Sequence, residues 1–484
     1  MPNNVVKFVN IDNPRSLFPL NSTERFLELG YNQLHDFIYK SVFDPSNKAV
    51  SFATCPIVFA LKDRLHLRRM LLLDPAATYY MYDFTLRNWK LFNVQMESER
   101  QYYGYAFKSG KPLGPLKQYH EFRRRKYKLK TKYKYFVKLD ISNCFNSFYH
   151  HEIVSFLNTE LPTTESQQFG QFLREINSGT SINCFPQGIH PAKALGNSFL
   201  SFSETSMELQ SPAIIRFLDD YFLFADKISI LERDVIVLQQ LLNSRALFLN
   251  EEKTQFGSKD SDFEERKLDE IKKSLIVKRE EICSYDYVDE DQVGLEAEEV
   301  EYLKTIIKAK DVAEEDVELA LTLLKQVEEE ASLLITLVLE RYPNLIKALY
   351  RHLSDIEDNG ILWKAIKKRV LSTFISEFEL FWLARIILDI YKFNKVSADL
   401  LMEVFKHPCA SPIIKAAILE VPDNNYGFGD LKLNQLRSGA AGIIASSAIA
   451  GLENLEKAKR NQIYKYVSKT SPYLHTLCKI MSKA

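Results

Sequence analysis

The chain has 484 residues, of which 46% are apolar and 26% charged, and its formal net charge is zero. Length and composition exclude a small disulfide-stabilised domain and a disordered chain, and predict two or more domains, because single cores rarely grow beyond about 250–300 residues. Charge is unevenly distributed: between Lys117 and Lys138 ten Lys or Arg stand against one acid, Glu121, whereas residues 260–301 are rich in acids. Such a division is compatible with a polyanion-binding region beside a solvated connector.

Targeting and redox signals are weak. The N-terminus has no apolar signal-peptide core, and no run of about 18 apolar residues occurs, which predicts a soluble cytoplasmic protein without a membrane partner. The six cysteines are scattered without CxxC spacing, so neither a zinc pattern nor a disulfide framework is expected.

The first 130 residues mix short helical and strand-like patterns with basic clusters. The segment "EFRRRKYKLKTKYKYF" interleaves aromatic side chains with cations, as nucleic-acid channels do, although a solvated basic edge would look the same. Residues 132–141, "KYKYFVKLDI", alternate strictly, which predicts a strand with Asp140 at the end of its polar face.

A chain of further elements follows this strand. The patterns predict a helix, a turn entering a second helix at "FPQGIHPAKALGNSFLSF", a hairpin at 214–225, the helix "SILERDVIVLQQLLNSR" and the short strand "ALFLN". This order indicates an α+β core. From about residue 300 the pattern is helical throughout, which favours an α-solenoid or irregular bundle, with an ordinary helical domain as the alternative.

The hairpin "IIRFLDDYFLFA" carries two adjacent carboxylates, Asp219 and Asp220, between apolar runs. Asp is common in turns, so a simple hairpin turn explains the pair by itself. If the strand ending at Asp140 lies beside the hairpin, however, three carboxylates come together. Such oxygen ligands suit two Mg²⁺ ions, with Mn²⁺ as an alternative, of the kind that activate a 3′-hydroxyl and hold a triphosphate.

Several ordered motifs resemble those of reverse transcriptases. "VKLDISNCF" resembles the first palm motif, "FPQGIHPAKALGNSFLSFSE" the Gln-Gly motif, "RFLDDYFLF" the metal-binding hairpin, and "LFLNEEKTQF" the motif that follows. The resemblance implies that Asp140, Asp219 and Asp220 are catalytic metal ligands. It departs from the family at Ala192–Lys193, where many relatives have Ser-Pro, which affects the expected positioning of a template strand.

The same resemblance implies a nucleotide site. Phe145 falls where an aromatic ring excludes the ribose 2′-hydroxyl, Gln187 and Gly188 would line the nucleotide pocket, and Lys253 would approach the triphosphate. Upstream, "LRRMLLLDP" resembles the fingers motif, which makes Arg69 the candidate clamp for the triphosphate and Lys62 its helper; a basic surface cluster without a ligand is the alternative.

A palm followed by a helical tail is the layout of bacterial abortive-infection (Abi) reverse transcriptases, such as the AbiK, AbiA and AbiP groups. This resemblance implies a right-hand polymerase-like core followed by an all-α, HEAT-like repeat domain. It predicts four regions. They are an N-terminal and fingers region (1–131), a palm (132–260), a charged connector (261–300) and an all-helical domain (301–484).

The Abi resemblance also implies a function. Such a protein polymerises deoxynucleoside triphosphates without a template in phage defence, forms homo-oligomers, and attaches its single-stranded DNA product covalently to a side-chain hydroxyl. The priming residue cannot be identified among 24 tyrosines; Tyr31 and Tyr39 are guesses. The alternatives are a templated RNA-directed DNA polymerase of retron or other defence-associated type, and a catalytically silent scaffold that works through its helical domain.

Overall fold

The segments around Asp140 and the Asp219–Asp220 pair fold into one five-stranded sheet in the computed structural model of the protein. The structure describes residues 2–47, 49–93, 98–178, 184–259, 270–282, 294–324, 328–353 and 360–483. The strands, numbered in chain order, are β1 (Ile57–Leu61), β2 (Leu67–Leu71), β3 (Arg100–Tyr103), β4 (Phe107–Lys108), β5 (Lys111–Pro112), β6 (Tyr135–Asp140), β7 (Ala213–Phe217), β8 (Asp220–Ala225) and β9 (Gln255–Ser258).

Helices connect the strands and make up the described part of the C-terminal half. The first ten are α1 (Pro2–Asp12), α2 (Asn21–Phe37), α3 (Pro75–Arg87), α4 (Pro115–Lys132), α5 (His150–Glu160), α6 (Thr163–Ile176), α7 (His190–Phe199), α8 (Ser201–Glu204), α9 (Ile228–Asn243) and α10 (Glu270–Ile282). The remainder are α11 (Ala297–Ile307), α12 (Glu314–Leu323), α13 (Glu328–Glu340), α14 (Ile346–Leu353), α15 (Gly360–Val370), α16 (Glu377–Asp389), α17 (Lys395–Lys406), α18 (Pro412–Leu419), α19 (Phe428–Arg437), α20 (Gly442–Gly451), α21 (Lys457–Val467) and α22 (Pro472–Met481).

The chain divides into two compact units, residues 81–292 and residues 1–80 together with 293–484. The mixed α/β core and the many helices agree with the α+β part of the predicted fold class, and the HEAT-like repeat domain stays a prediction. Of the predicted connector, residues 261–269 and 283–293 lie outside the described residues, while Glu270–Ile282 forms α10. The four-region division stays a prediction.

The sheet of the unit formed by residues 81–292 has the strand order β3-β7-β8-β6-β9. β8 pairs antiparallel with both β7 and β6, β6 pairs antiparallel with β9, and β3 joins the edge parallel to β7. The predicted hairpin at 214–225 and the strand ending at Asp140 are thus central neighbours. β7 and β8 are almost fully buried, as their continuous apolar runs require.

One strand prediction is wrong. The segment "ALFLN" (246–250) forms a turn and extended chain with a single bridge between Leu249 and Ile141, and the strand comes later, at Gln255–Ser258. Ala246 has a positive φ of 55° because the chain reverses directly after α9, and Phe248 is 55% exposed. An apolar stretch of five residues therefore looked like a strand although it only closes a loop.

The unit formed by residues 1–80 and 293–484 is mainly helical. From α12 to α22, each even-numbered helix contacts the next even-numbered one, so these helices form a continuous row. Helix α2 contacts α20 and α22, and the hairpin β1–β2 contacts α16. None of the described helices combines the length and apolar composition needed to cross a bilayer.

Candidate functional site

The three aspartates predicted to act together meet at one end of the sheet. Asp140, the last residue of β6, is the register partner of Asp220, the first residue of β8. Asp219 occupies the turn just before Asp220, and the backbone N–H of Ile141 donates to the carbonyl of Asp219 at 3.2 Å. Strand pairing, rather than sequence proximity, therefore brings Asp140 next to a pair 79 residues away.

The turn that carries Asp219 has an unusual backbone. Leu218 has a φ of 55°, a left-handed conformation that a bulky side chain rarely adopts. The carbonyl of Leu218 accepts a hydrogen bond from Arg216 Nη1 at 2.7 Å, and this bond fixes the backbone of the turn. Backbone strain retained by such anchoring is typical of functional sites.

Arg216 is the centre of a fully buried network behind the turn. Its guanidinium donates to both carboxylate oxygens of Glu204, at 2.8 and 3.0 Å, and to the side-chain and backbone oxygens of Asn197, both at 2.8 Å. Burial opposes its charge, but Glu204 more than compensates, so the pKa of Arg216 is raised. The pair is bidentate, which suits a structural ion pair that fixes the hairpin.

Lys253 lies on the loop before β9 and reaches the same carboxylates. Its Nζ donates to both oxygens of Asp140 at 3.1 Å. The loop is held there because the N–H of Asn250 donates to the carbonyl of Asp140 at 2.7 Å. Lys253 therefore lies beside the Asp140 carboxylate. Its role with a triphosphate stays a prediction.

The carboxylates affect one another electrostatically. Burial, together with the charges of Asp220 and Asp140, raises the pKa of Asp219 to about 6. Burial also raises the pKa of Asp220, while Lys138 counteracts this shift. The pKa of the Cys144 thiol is raised by burial and then by Asp219 and Asp140. The site thus concentrates negative charge in a place where water stabilises it poorly.

Whether these residues suit a metal ion depends on donor chemistry and geometry. Carboxylate oxygens are the ligands that Mg²⁺ prefers, and a divalent cation would relieve the repulsion that raises the pKa of Asp219. Within the described part of the chain, no group of three or more His, Cys, Asp or Glu side chains is already arranged around a metal position. The carboxylate donors suit a divalent cation. In this structure the ammonium group of Lys253 provides the positive charge beside Asp140.

Phe145 and Gln187, predicted to line a nucleotide pocket, lie in neighbouring segments. A short 3₁₀ turn, Cys144–Asn146, follows β6 and carries Phe145. Gln187 is 8% exposed and its Nε2 donates to Oδ1 of Asn146 at 3.2 Å, so residues 145 and 187 are brought together. Gly188 has a φ of 107°, a conformation that requires glycine.

Gly196 determines where the Phe145 ring can lie. A Cβ atom added at Gly196 would lie 2.7 Å from Cε1 of Phe145 and 2.7 Å from Cε2 of Phe148. The ring of Phe145 therefore packs directly on the backbone of α7, with its centroid 5.3 Å from that of Phe148. The next residue, Asn197, belongs to the Arg216 network, so one helix supports both the turn and the ring.

The remaining predicted residues lie in the unit formed by residues 1–80 and 293–484. Arg69 is a residue of β2 and Lys62 follows β1, with its N–H donating to the carbonyl of His66 at 2.9 Å. Tyr39 packs against His35 with ring centroids 4.5 Å apart, and Tyr31 is half-buried in α2. Their assigned roles stay predictions.

Sequence reasoning missed the role of two residues. Arg216 lies inside the apolar run of the predicted hairpin, and Glu204 is the last residue of the segment that resembles the Gln-Gly motif. The signal was present: a single Arg inside "AIIRFLDD" must find a buried partner, because a buried charge is costly unless it is paired. The partner itself lies on α8 and could not be identified without the fold.

The part of the chain that carries this site matches a known protein family. Residues 90–307 match the family model described as "Reverse transcriptase (RNA-dependent DNA polymerase)". No curated protein sequence matches the chain significantly. Among solved structures, that of apo telomerase from Candida tropicalis aligns over 93% of this chain and 73% of its own length, with 10% sequence identity and a TM-score of 0.33. The family match and the clustered carboxylates lead to one conclusion: the chain contains a reverse transcriptase domain and is a nucleotidyltransferase enzyme.

Proposed function

We propose that the protein is a DNA polymerase that extends a strand by nucleotidyl transfer at Asp140, Asp219 and Asp220. The observation that carries this proposal is the convergence of these three carboxylates with Lys253 at one end of the sheet, inside a reverse transcriptase domain. Carboxylates in this arrangement would hold the divalent cations at which a 3′-hydroxyl forms a phosphodiester bond and pyrophosphate leaves.

Each residue has a distinct part in this proposal. Asp140, Asp219 and Asp220 would hold divalent cations, generally Mg²⁺ in this family, which when bound activate the attacking hydroxyl and stabilise the leaving pyrophosphate. Lys253, now on Asp140, is a flexible point charge that can exchange this carboxylate for a triphosphate oxygen. Arg69 and Lys62 are the proposed additional triphosphate ligands.

Selection of the sugar is assigned to the Phe145 ring. Because the ring rests on Gly196 and Phe148, it has little freedom to move away from a 2′-hydroxyl. Gln187 and Gly188 would complete the pocket, with the backbone at Gly188 able to approach the nucleotide closely. Phe145→Ala should therefore admit ribonucleotides; equal discrimination in variant and parent would remove Phe145 from this role.

The finer proposal is template-independent, protein-primed synthesis in abortive infection by a homo-oligomer with a HEAT-like C-terminal domain. It is supported by the layout of the chain, a polymerase domain with a row of stacked helices in its C-terminal half. The displaced Ser-Pro of the Gln-Gly motif, Ala192–Lys193, also supports it, because that segment is expected to position a template. The priming hydroxyl is proposed to be a tyrosine, with Tyr31 and Tyr39 as the first to replace.

A second candidate function is RNA-templated DNA synthesis, which the description of the matched family favours. The two functions differ in whether added RNA determines the sequence of the product. They can be separated by incubating nuclease-treated protein with labelled deoxynucleotides and Mg²⁺, with or without RNA and primer. Asp219→Ala serves as the inactive control.

The products are resolved on a denaturing gel before and after protease digestion. Label that migrates with the protein until digestion, without added nucleic acid and absent from Asp219→Ala, supports the finer proposal. Label that requires RNA and primer supports the templated alternative. If neither condition gives label, the polymerase proposal is refuted, and a scaffold function of the helical unit becomes the hypothesis to test.

A further inference from the structure

Helix α4 covers the face of the sheet that carries Asp220. Side chains alternate along β8, so Asp220, Phe222 and Phe224 lie on one face. On that face Phe122 of α4 packs against Phe217 and Phe222, with ring centroids 5.6 and 5.9 Å apart. A nucleic acid that extends from the carboxylates along this face therefore meets α4 rather than a bare sheet.

Three cations of α4 form a stripe beside this buried contact. Arg123, Lys126 and Lys130 are spaced three and four residues apart, so they lie on one side of the helix. Lys126 Nζ lies 5.2 Å from the ring centroid of Phe222, and Lys130 Nζ lies 4.5 Å from that of Phe136. We call Arg123, Lys126 and Lys130 the basic stripe.

The basic stripe has a direction relative to the carboxylates. The N-terminal part of α4, which precedes the stripe, lies near the tip of the hairpin. There Tyr119 packs on Phe217, the register partner of Asp220, with ring centroids 5.2 Å apart. The last residue of the stripe lies over Phe136, which is paired with Phe224 farther along β8. At 1.5 Å per residue, the stripe leads away from the site over about 10 Å.

Electrostatics connects the stripe to the site. Lys138 lies two residues before Asp140 on β6, so its side chain projects from the same face of the sheet as Asp140 and Asp220. Lys138 is the cross-strand neighbour of Phe222, over which Lys126 lies, so a second row supplies positive charge at the same level. A strand with one negative phosphate per nucleotide matches such a series of cations, whereas an apolar ligand does not.

We infer that the basic stripe binds the phosphate backbone of the growing DNA strand as a single strand just behind its 3′ end. This inference rests on the proposed polymerase function. The rings of Phe136, Phe222 and Tyr119 keep the cations upright beside the strand through cation–π contacts, without reading base sequence. Binding is therefore independent of sequence and dependent on salt.

The test is the salt dependence of binding of a labelled 20-nucleotide oligothymidine, measured by fluorescence anisotropy in EDTA without nucleotides. In Lys126→Gln/Lys130→Gln, the slope of log affinity against log salt should fall by about 1.4, since each lost phosphate contact on a single strand contributes about 0.7. Affinity at low salt should fall roughly tenfold. Lys126→Arg/Lys130→Arg, which keeps both charges, should restore the parent slope.

Lys128→Gln is the control, because Lys128 is exposed on the opposite side of the same helix and its replacement also removes a positive charge from α4. Its slope should equal that of the parent. Equal slopes in the parent and Lys126→Gln/Lys130→Gln, with unchanged thermal unfolding, would overturn the inference. A parent that prefers a 20-base-pair duplex to the single strand would also overturn it.

Binding is measured without catalysis, so failure of this inference and failure of the polymerase proposal are distinguishable. An inactive parent whose oligothymidine binding depends on the stripe would refute the polymerase proposal alone. An active parent whose binding and product length are the same in Lys126→Gln/Lys130→Gln would refute only the role of the stripe. If both hold, the double variant should release shorter products than Lys128→Gln does.

Discussion

The charged groups on the two faces of the central sheet differ in how well they are paired. On one face Arg216 and Glu204 are fully buried, form a bidentate pair and are saturated with further hydrogen bonds. Asp220 lies on the other face, and the turn just before it carries Asp219; both have raised pKa values because burial is combined with neighbouring carboxylates. Arg216 donates to the carbonyl of Leu218 in the turn, and the two aspartates follow Leu218 directly.

This difference indicates which charged groups hold the backbone in place and which are available to bind a cation or react. A buried ion pair that satisfies every donor holds a backbone in place and has no capacity left for a ligand. Carboxylates that repel one another make the folded chain less stable, and such an arrangement is retained where a bound cation or a reacting group will use the charge. The Arg216 network therefore positions the turn, and the aspartates are the groups available to react.

The largest expected effect comes from removing charge on the reactive face. Asp219→Asn should reduce nucleotide incorporation by roughly 10³-fold or more, because it takes away a charged ligand while keeping size and shape. It should not lower the unfolding temperature, since the repulsion from Asp220 and Asp140 is relieved. Incorporation assays and thermal unfolding measure the two effects.

Asp226→Asn is the control for this prediction, since Asp226 is an exposed acid just past the other end of β8. It should retain parent activity. If Asp219→Asn were active, or if it unfolded well below the parent, Asp219 would belong to the supporting framework and the contrast between the two faces would fail.

Breaking the pair on the supporting face should mainly affect stability. Arg216→Met leaves the buried Glu204 without its cationic partner and frees the carbonyl of Leu218, which should cost about 3–5 kcal/mol of unfolding free energy. Glu204→Gln/Arg216→Met removes both charges and should recover much of that loss. Urea unfolding of the two variants gives the comparison.

The double variant also tests whether the network has a positioning role. If stability recovers but incorporation does not, Arg216 is needed to hold Leu218 and hence Asp219. Full recovery of both would mean that the turn keeps its shape without the guanidinium, contrary to the expectation from the strained backbone at Leu218.

Asp74 lies away from the three aspartates, and burial alone raises the pKa of its carboxyl group. Its side chain is 1% exposed, accepts the N–H of Ala77 at 2.9 Å, and burial raises its pKa to about 6. The folded pKa exceeds the ordinary value of 3.8, so this group's contribution to stability is fully present below about pH 4. It is lost as the pH rises through about 6.

The expected loss is about 2–3 kcal/mol, at roughly 1.4 kcal/mol per pKa unit. Asp74→Asn keeps an oxygen for the N–H of Ala77 and has no proton to lose. The unfolding free energy of the variant should therefore increase relative to that of the parent between pH 4 and 6.5. Urea unfolding across this range measures it. A constant difference would mean that the buried carboxyl does not titrate in that window.

Local patterns were sufficient for some of the fold. Alternation identified the strand ending at Asp140, and two apolar runs around an Asp pair identified the hairpin; both are central in the sheet. Loop closure defeated the same reasoning at Leu247–Leu249, where apolar residues fill a turn after α9. A short apolar run does not by itself distinguish a strand from a segment that closes a loop.

Long-range partners were beyond the sequence. The parallel edge strand Arg100–Tyr103 depends on β7, more than 100 residues away, and it is only four residues long. The pairing of Arg216 with Glu204 and the packing of α4 on the carboxylate-bearing face likewise depend on the assembled sheet. Motifs located the aspartates, but their supports became visible only in three dimensions.

The smallest effect is expected from Gly196→Ala. Gly196 lies on α7, the helix that contacts both the Phe145 ring and, through Asn197, Arg216. The added Cβ would lie 2.7 Å from the rings of Phe145 and Phe148, so at least one ring must shift. Asn197, the next residue, keeps its bonds to Arg216, and the turn should therefore stay in place. If Phe145 selects the sugar, discrimination against ribonucleotides should fall by about tenfold, less than in Phe145→Ala.

Competing single-nucleotide incorporation of deoxyribo- and ribonucleotides measures this ratio, with Gly294→Ala as control because a Cβ there meets no atom within 4 Å. A changed ratio with parent-like deoxynucleotide incorporation would assign the shift to the ring alone. Loss of all incorporation would instead mean that α7 has moved as a whole and carried Asn197 with it. An unchanged ratio would show that the Phe145 ring does not contact the sugar, since a displacement forced by a 2.7 Å contact would otherwise be felt there.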